Sequence, residues 1–450
     1  MKNTKIILVI RFTLLVLLLG CVTTLCAAGA PLRLAIIGDS TVCEYPPDHA
    51  CRGWGHYIQD YFKDTVRVIN LNASSGRLYE QLGSAANDVV ASTPEDRAHF
   101  NENGARMMAH LVMQELAQVE PRLAKELSPG GPAALGEIAD KPLFRDPVYD
   151  GAADPVLCWN HAEKKWFMFY TNRRANAPDT PGVSWVHGTK IGIAESSDGG
   201  ATWKYRGTAN INYGRGEYSY WAPEVIEHGG TYHMYLTFVP GMHTDWSGTR
   251  DIIHLTSKDL LNWKYESMLK LSSNRVIDAC VMRLPDGSWR MWYNNEVDRK
   301  SIYYADSPDL YEWDDKGKAM GDRPGEGPKV FYWKGSYWMV VDVWKGLGIY
   351  KSQDCLKWTR QANNLLEEPG QGPDDKVKGG HPDVVVSGGR AYLFYFTHPG
   401  RQNPNEKEDA YEQRRSSIQV VELESKDAWL SCRRDEPTYI NLQPATDTSK

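Results

Sequence analysis

Between residues 138 and 432 the chain states one pattern five times: a short opening with an ionisable residue, an apolar strand, a turn, and an aromatic strand. The openings are Ala153-Asp154-Pro155, Ala222-Pro223-Glu224, Ile277-Asp278-Ala279, Glu326-Gly327-Pro328 and His381-Pro382-Asp383. The aromatic strands are 165–170, 232–236, 289–293, 337–341 and 392–396. Four copies close on Ser-x-Asp and a Trp: Ser196/Asp198/Trp203, Ser257/Asp259/Trp263, Ser307/Asp309/Trp313 and Ser352/Asp354/Trp358. The fifth closes more loosely, at Ser425 to Trp429. A β repeat with a period of about 40–50 residues specifies radial repetition of four-stranded blades. Five copies predict a mainly β chain with a five-bladed β-propeller over 138–432. The opening acids lie 70, 54, 48 and 55–57 residues apart, so loop lengths differ between blades. If each opening begins an innermost strand, the openings converge on the axis and gather several carboxylates into one cleft.

The 450 residues leave room for more than the propeller. Residues 1–30 read as an export leader: Lys2, Lys5 and Arg11 precede or enter an apolar run from Ile6 to Leu19, and Ala28-Gly29-Ala30 offers a small-x-small cleavage site. This predicts an exported protein, periplasmic or extracellular. Leu18-Leu19-Gly20-Cys21 also resembles a lipoprotein box, with lipid anchoring at Cys21 as the alternative. No later stretch is long and apolar enough to predict a transmembrane span. The whole chain carries −6, and without the acid-free leader −9. An acidic chain without basic clusters argues against nucleic acid as a partner. Cys43 and Cys51 flank a Pro-Pro turn, where either a local disulfide or two free thiols fits.

Residues 31–127 alternate strand, turn and helix, which predicts a small α/β segment. Strands are expected at 32–37 and 66–71, an amphipathic helix at 53–62 and a long helix at 102–127. Gly38-Asp39-Ser40, Gly53-Trp54-Gly55, Ser75-Gly76-Arg77 and Asp96-Arg97-Ala98-His99 resemble the SGNH or GDSL serine hydrolases, specifically rhamnogalacturonan acetylesterases. The resemblance implies Ser40 as nucleophile, His99 as its base, Asp96 as the orienting acid and the Gly76 N–H as oxyanion donor. Only 19 residues separate Gly76 from Asp96, with no apolar run for the strand that carries the family's Gly-x-Asn-Asp block. The segment therefore reads as a truncated esterase remnant. Residues 128–137 read as a linker and 433–450 as a polar, disordered tail.

The words around the predicted axis carry the sharper chemistry. Ala153-Asp154-Pro155, Trp221-Ala222-Pro223-Glu224-Val225, Val276-Ile277-Asp278 and Gly325-Glu326-Gly327-Pro328 resemble glycoside hydrolase family 43, in that family's order. The resemblance implies an inverting glycosidase with Asp154 as general base, Glu326 as general acid and Asp278 tuning the acid's pKa. Glu224 stands where the family usually has Asp, and Ala279-Cys280 follows Asp278 where Pro is common. Glu224, His381, Trp221 and Arg173 are the candidate substrate-binding residues. The chemistry needs no cofactor, though His381 could hold an axial cation such as Ca²⁺. Ser196-Ser197-Asp198-Gly199-Gly200-Ala201-Thr202-Trp203 resembles the structural Asp-box of sialidases and speaks for architecture alone. The expected partner is an oligo- or polysaccharide of plant cell walls, pectin or hemicellulose. The competing readings are an inactive glycan-binding propeller and a carbohydrate acetylesterase.

Overall fold

The computed structural model describes residues 6–9, 32–38, 53–63, 66–72, 105, 109, 136–178, 180–214, 216–402, 410–426 and 429–444. The chain forms two compact units, residues 1–136 and 137–450.

In the first unit, Leu32–Gly38 and Val66–Asn72 pair in parallel, with Leu32 opposite Val66, where the sequence places strands. A third strand, Ile6–Val9, pairs in parallel with Leu32–Gly38. It falls inside the predicted leader; its branched apolar residues suit a strand equally well. The helix expected over 53–62 is instead two 3-10 turns, Trp54–His56 and Ile58–Tyr61. Gly53 and Gly55 open that segment, and glycine costs an α-helix up to about 1 kcal/mol per residue. Ala105 and Ala109, one helical turn apart within the predicted long helix, are helical and buried. Cys21, Ser40, Cys43, Cys51, Gly76, Asp96 and His99 lie outside the described residues.

The second unit is a five-bladed propeller of antiparallel sheets. Blade 1 is Ala152–Asn160, Lys165–Asn172, Lys190–Ser196 and Lys204–Thr208. Blade 2 is Tyr218–His228, Thr231–Pro240, Asp251–Ser257 and Asn262–Met268, extended by Asn210–Asn212 in parallel. Blade 3 is Val276–Arg283, Trp289–Asn295, Ser301–Ser307 and Asp314–Met320. Blade 4 is Glu326–Trp333, Ser336–Asp342, Leu347–Ser352 and Thr359–Arg360. Blade 5 is Gly380–Ser387, Arg390–Thr397, Ser417–Lys426 and Trp429–Cys432. Each innermost strand packs on the next, and the fifth packs on the first, so the ring closes. The inner two strands of every blade are almost wholly buried, which explains why they read as continuous apolar and aromatic runs rather than alternating ones.

The Ser-x-Asp words perform one local task. Asp259 Oδ1 accepts the Leu261 and Asn262 N–H groups, both at 2.8 Å, and Asp309 Oδ1 accepts those of Tyr311 and Glu312, both at 2.9 Å. Asp198 and Asp354 do the same for their own turns. The following indoles of Trp203, Trp263 and Trp313 donate back to the turn carbonyls of Gly200, Leu260 and Leu310.

Residues 433–444 correct the expectation of a disordered tail. Tyr439–Ile440 pairs antiparallel with Glu137–Ile138, and Trp166 Nε1 donates to the Leu442 carbonyl at 3.1 Å. Ile440 and Leu442 alternate into the apolar core beneath blades 1 and 5. A period-two pair of aliphatics is enough to bind a segment whose composition looks polar.

Candidate active site

The five innermost strands share one irregularity. Each carries a bulge in its pairing with the second strand, between Ala153 and Val156, Trp221 and Glu224, Ile277 and Cys280, Glu326 and Lys329, and Gly380 and Asp383. Each bulge contains one residue in the left-handed region: Asp154 (φ 53°), Ala222 (43°), Asp278 (60°), Gly327 (56°) and His381 (33°). A bulge re-aims a side chain that a regular ladder would direct into a sheet face. These five positions form one layer around the axis, and the residues two further on form a second layer: Val156, Glu224, Cys280, Lys329 and Asp383.

The bulge register corrects the alignment of the repeats. Aligned by their acids, Asp154 and Glu224 look equivalent; aligned by the bulge, Ala222 is the counterpart of Asp154. Glu224 belongs to the second layer. It is 3% exposed, its Oε1 accepts the Val281 N–H at 3.1 Å and its Oε2 pairs with Lys329 Nζ at 2.8 Å. Lys329 also pairs with Asp383 Oδ1 at 2.7 Å, while Asp383 Oδ2 accepts the Leu157 N–H at 2.9 Å. Cys280 Sγ accepts the Val330 N–H at 3.2 Å. This layer laces the five inner strands together, and the pairing of Lys329 with two carboxylates raises its pKa against the opposing effect of burial. Glu224 is therefore committed to the plug and does not line the cleft above it.

The first layer is different. Asp154 meets Arg173 Nη2 at 2.9 and 3.0 Å through its two oxygens, and His381 Nδ1 at 3.4 Å. Burial alone would raise its pKa; the Arg173 guanidinium and His381, with hydrogen bonds from Thr171 and Arg173, more than offset this and lower it. Asp278 Oδ2 accepts the Gly327 N–H at 3.0 Å. Burial, with the Glu326 and Asp154 carboxylates, pushes the Asp278 carboxyl up to about 7 against His381 and that N–H. The Asp278 carboxyl thus feels both Asp154 and Glu326, and the three predicted acids come from three different blades. Glu326 is the most open of them, with a side chain 24% exposed; Lys300 Nζ reaches its Oε2 at 2.6 Å and Trp344 Nε1 donates to its Oε1 at 3.0 Å.

Gly327 shows how tight the floor is. A Cβ built there would lie 2.8 Å from His381 Nδ1, at a positive φ that already favours glycine. Burial lowers the pKa of His381, but Asp154, Asp278, Asp342 and Glu326 together raise it. The imidazole is thus driven toward its cationic form, with Nδ1 facing Asp154 at 3.4 Å. Among the described residues no group of three or more His, Cys, Asp or Glu side chains is arranged to hold a metal ion.

Two further predicted residues act through others. Trp221 is 9% exposed; its indole N–H donates to the Val186 carbonyl at 2.7 Å, its ring meets His187, and the Arg250 guanidinium lies 5.7 Å from its centroid. It supports the 183–188 loop rather than presenting a sugar platform. Arg173, expected to face an acidic sugar, is spent on Asp154 and is held over the Phe396 ring at 4.9 Å and against His398 Nε2 at 3.4 Å. His398 Nδ1 donates to the Arg415 carbonyl at 2.9 Å, which leaves Nε2 to accept from Arg173; burial keeps this imidazole neutral.

Sequence reasoning missed the residues on the second strands. Thr171 Oγ1 accepts the Ala222 N–H at 2.8 Å, Thr237 Oγ1 accepts the Asp278 N–H at 3.2 Å, and Asp342 Oδ2 accepts the His381 N–H at 2.9 Å. Each lies opposite the residue before its blade's bulge and holds the left-handed residue of the next blade. Asp342 is a fourth carboxyl of the site, raised to about 6 by burial and Glu326 against the His381 and Trp344 N–H groups. An acid ending the apolar strand Ser336–Asp342 was the signal available for it.

The long loops 171–190 and 240–250 are tied together: the Val183 N–H donates to the Thr244 carbonyl at 3.1 Å, and Arg250 and Arg275 both donate to the Trp246 carbonyl at 2.9 Å. Trp246 is 53% exposed.

No protein-family profile matches the chain. It is 27% identical over 149 residues to the uncharacterized protein MT1551 of Mycobacterium tuberculosis (strain CDC 1551 / Oshkosh), a match covering 31% of this chain and 48% of that protein. The matched region thus spans about half the length of this curated relative. Among solved structures, the chain is similar to a thermostable family-43 glycoside hydrolase (TM-score 0.49, 20% identity, 67% of this chain and 99% of that one). It is also similar to the GH43_1 enzyme from Xanthomonas citri complexed with xylose (TM-score 0.49, 14% identity, 66% of this chain and 93% of that one).

Proposed function

We propose that the propeller is an inverting glycoside hydrolase. The feature that carries this reading is the meeting of acids from three blades around the axis: Asp154 paired with Arg173, Asp278 buried on the Gly327 N–H, and Glu326 at the open side. In the proposed reaction a water attacks the anomeric carbon and its proton passes to Asp154. The glycosidic C–O bond breaks as the leaving oxygen takes a proton from Glu326. Asp278 and His381 set the charge around that exchange. No residue is covalently modified, and the balance is one water consumed and one glycosidic bond cleaved.

The proposed substrates are plant cell-wall glycans, pectin or hemicellulose, a setting supported by the esterase-like words of the N-terminal segment. The tied loops 171–190 and 240–250 close one side of the cleft and favour removal of terminal sugars. The leader-like start supports export. The deciding experiment is a screen of 4-nitrophenyl α-L-arabinofuranoside, β-D-xyloside and β-D-galactoside together with pectic oligosaccharides, using wild type and Glu326→Gln. Hydrolysis by wild type that is lost in the variant supports the reading. Binding of sugars without turnover by wild type would replace it with a glycan-binding propeller.

A further inference from the structure

Two hairpin turns from adjacent blades end on the two oxygens of one carboxylate. Lys300 lies in the turn of blade 3 before Ser301–Ser307, with φ 53°, and Trp344 lies in the turn of blade 4 between Ser336–Asp342 and Leu347–Ser352, with φ 55°. Non-glycine residues in this region cost of order 1 kcal/mol or more and persist only where the surroundings hold them. Here they do. The Trp344 N–H donates to Asp342 Oδ1 at 2.7 Å, Lys378 Nζ donates to the Trp344 carbonyl, and the Val343 N–H closes the turn on the Gly346 carbonyl at 3.2 Å. Lys300 is fixed from behind by Glu296 Oε1 at 3.2 Å, and Glu296 is itself paired with Arg250. The Lys300 ammonium lies 5.0 Å from the Trp344 ring centroid, so the two turns also touch each other.

We infer that Lys300 and Trp344 are positioning residues that form a two-sided clamp on Glu326 and fix the direction of its carboxyl at the open side of the site. An indole N–H and an ammonium can donate but not accept. Both Glu326 oxygens face such a donor, and each keeps a second lone pair, so the carboxyl can carry its proton while both contacts stay in place. With Glu326 ionised, both contacts are charge-assisted, each roughly twice as strong as a bond between neutral groups. The other charged groups around Glu326 are Asp278 from blade 3, Asp342 from blade 4, His381 from blade 5, and Lys378 from the segment before blade 5.

The inference rests on the glycosidase reading for its purpose, but its geometry is testable without substrate. In the full-length ¹⁵N-labelled protein, Trp344→Phe identifies the Trp344 indole N–H resonance. Glu326→Gln is expected to move that resonance upfield, because the ionised acceptor is gone, and to abolish its shift on acidification. An indole resonance indifferent to Glu326→Gln overturns the clamp whatever the enzyme's activity. The second arm is kinetic. On the aryl glycoside that the wild type hydrolyses, Lys300→Met should move the alkaline limb of kcat/KM upward by about one pH unit, as loss of a neighbouring opposite charge does. Trp344→Phe should move it less, in the same direction. A merely structural pair would change rate without moving the limb, and an unmoved limb in both variants also overturns the proposal. Failure of the glycosidase reading is seen separately, as no turnover of any aryl glycoside or pectic oligosaccharide by the wild type.

Discussion

Two residues of chain separate the bulge layer from the layer beneath it, yet the two handle buried charge in opposite ways. In the lower layer Lys329, Glu224 and Asp383 share one ion cluster, and backbone N–H groups of Val281 and Leu157 take the remaining carboxylate oxygens. Around the upper layer burial, together with neighbouring acids, pushes Asp278 up to about 7 and Asp342 up to about 6, while Arg173 and His381 hold Asp154 low. Settled charge makes a plug; unsettled charge makes a site that can move protons. The same strand supplies both because the bulge changes which neighbours a side chain meets.

The sharpest test separates the layers by what they lose. Lys329→Met should lower stability by about 3–5 kcal/mol, because it leaves two buried carboxylates uncompensated; urea unfolding measures this. Glu326→Gln should leave the unfolding midpoint in place and reduce turnover of poor-leaving-group glycosides by about 10²–10⁴-fold. If Lys329→Met unfolds no more readily than wild type, the lower layer is not a plug.

Asp278 gives the next largest effect, and its sign is fixed by linkage. The free carboxyl titrates near 3.8 and the folded one near 7. Between these values the folded chain keeps a proton that the unfolded chain has released, so this group's contribution declines as pH rises. Asp278→Asn should therefore stabilise the protein above pH 7, by an amount on the order of a few kcal/mol. The gain should vanish below pH 4, and a gain of equal size at pH 4 and pH 8 would refute the assignment. Asp154 has the opposite sign, its contribution being lost as pH falls.

Smaller effects refine the upper layer. Arg173→Gln removes the cation on Asp154, so the acid limb of the rate profile should move upward by about one pH unit. Activity lost with an unmoved limb would make Arg173 a packing residue only. Thr237→Val deprives the Asp278 N–H of its acceptor and should cost about 1 kcal/mol in thermal or urea unfolding. A neutral result would mean that the blade 2 to blade 3 joint does not depend on that bond.

Much of this was legible in the residues. The aromatic strands and Ser-x-Asp words are local signals, since each word satisfies its own turn, and they counted the blades correctly. That Asp154, Asp278 and Glu326 converge was legible because each opens an innermost strand; their selection as a trio rested on the resemblance to glycoside hydrolase family 43. Glu224 was misplaced because the repeats were aligned by acid; Pro155, Pro223, Pro328 and Pro382 align the bulges instead and move Glu224 down a layer. Lys329 was overlooked as one charge in an apolar strand, although a buried lysine requires a partner.

The sequence alone determined the blade count, the turns and which strands are buried, because those depend on neighbours a few residues away and on period. Tertiary structure decided which side chains face each other across the axis. Thr171, Thr237 and Asp342 hold residues of the next blade, and Lys300 and Trp344 meet Glu326 from two separate turns. Those pairings join positions many residues apart, and the protonation of a buried acid depends on everything around it rather than on the strand that carries it.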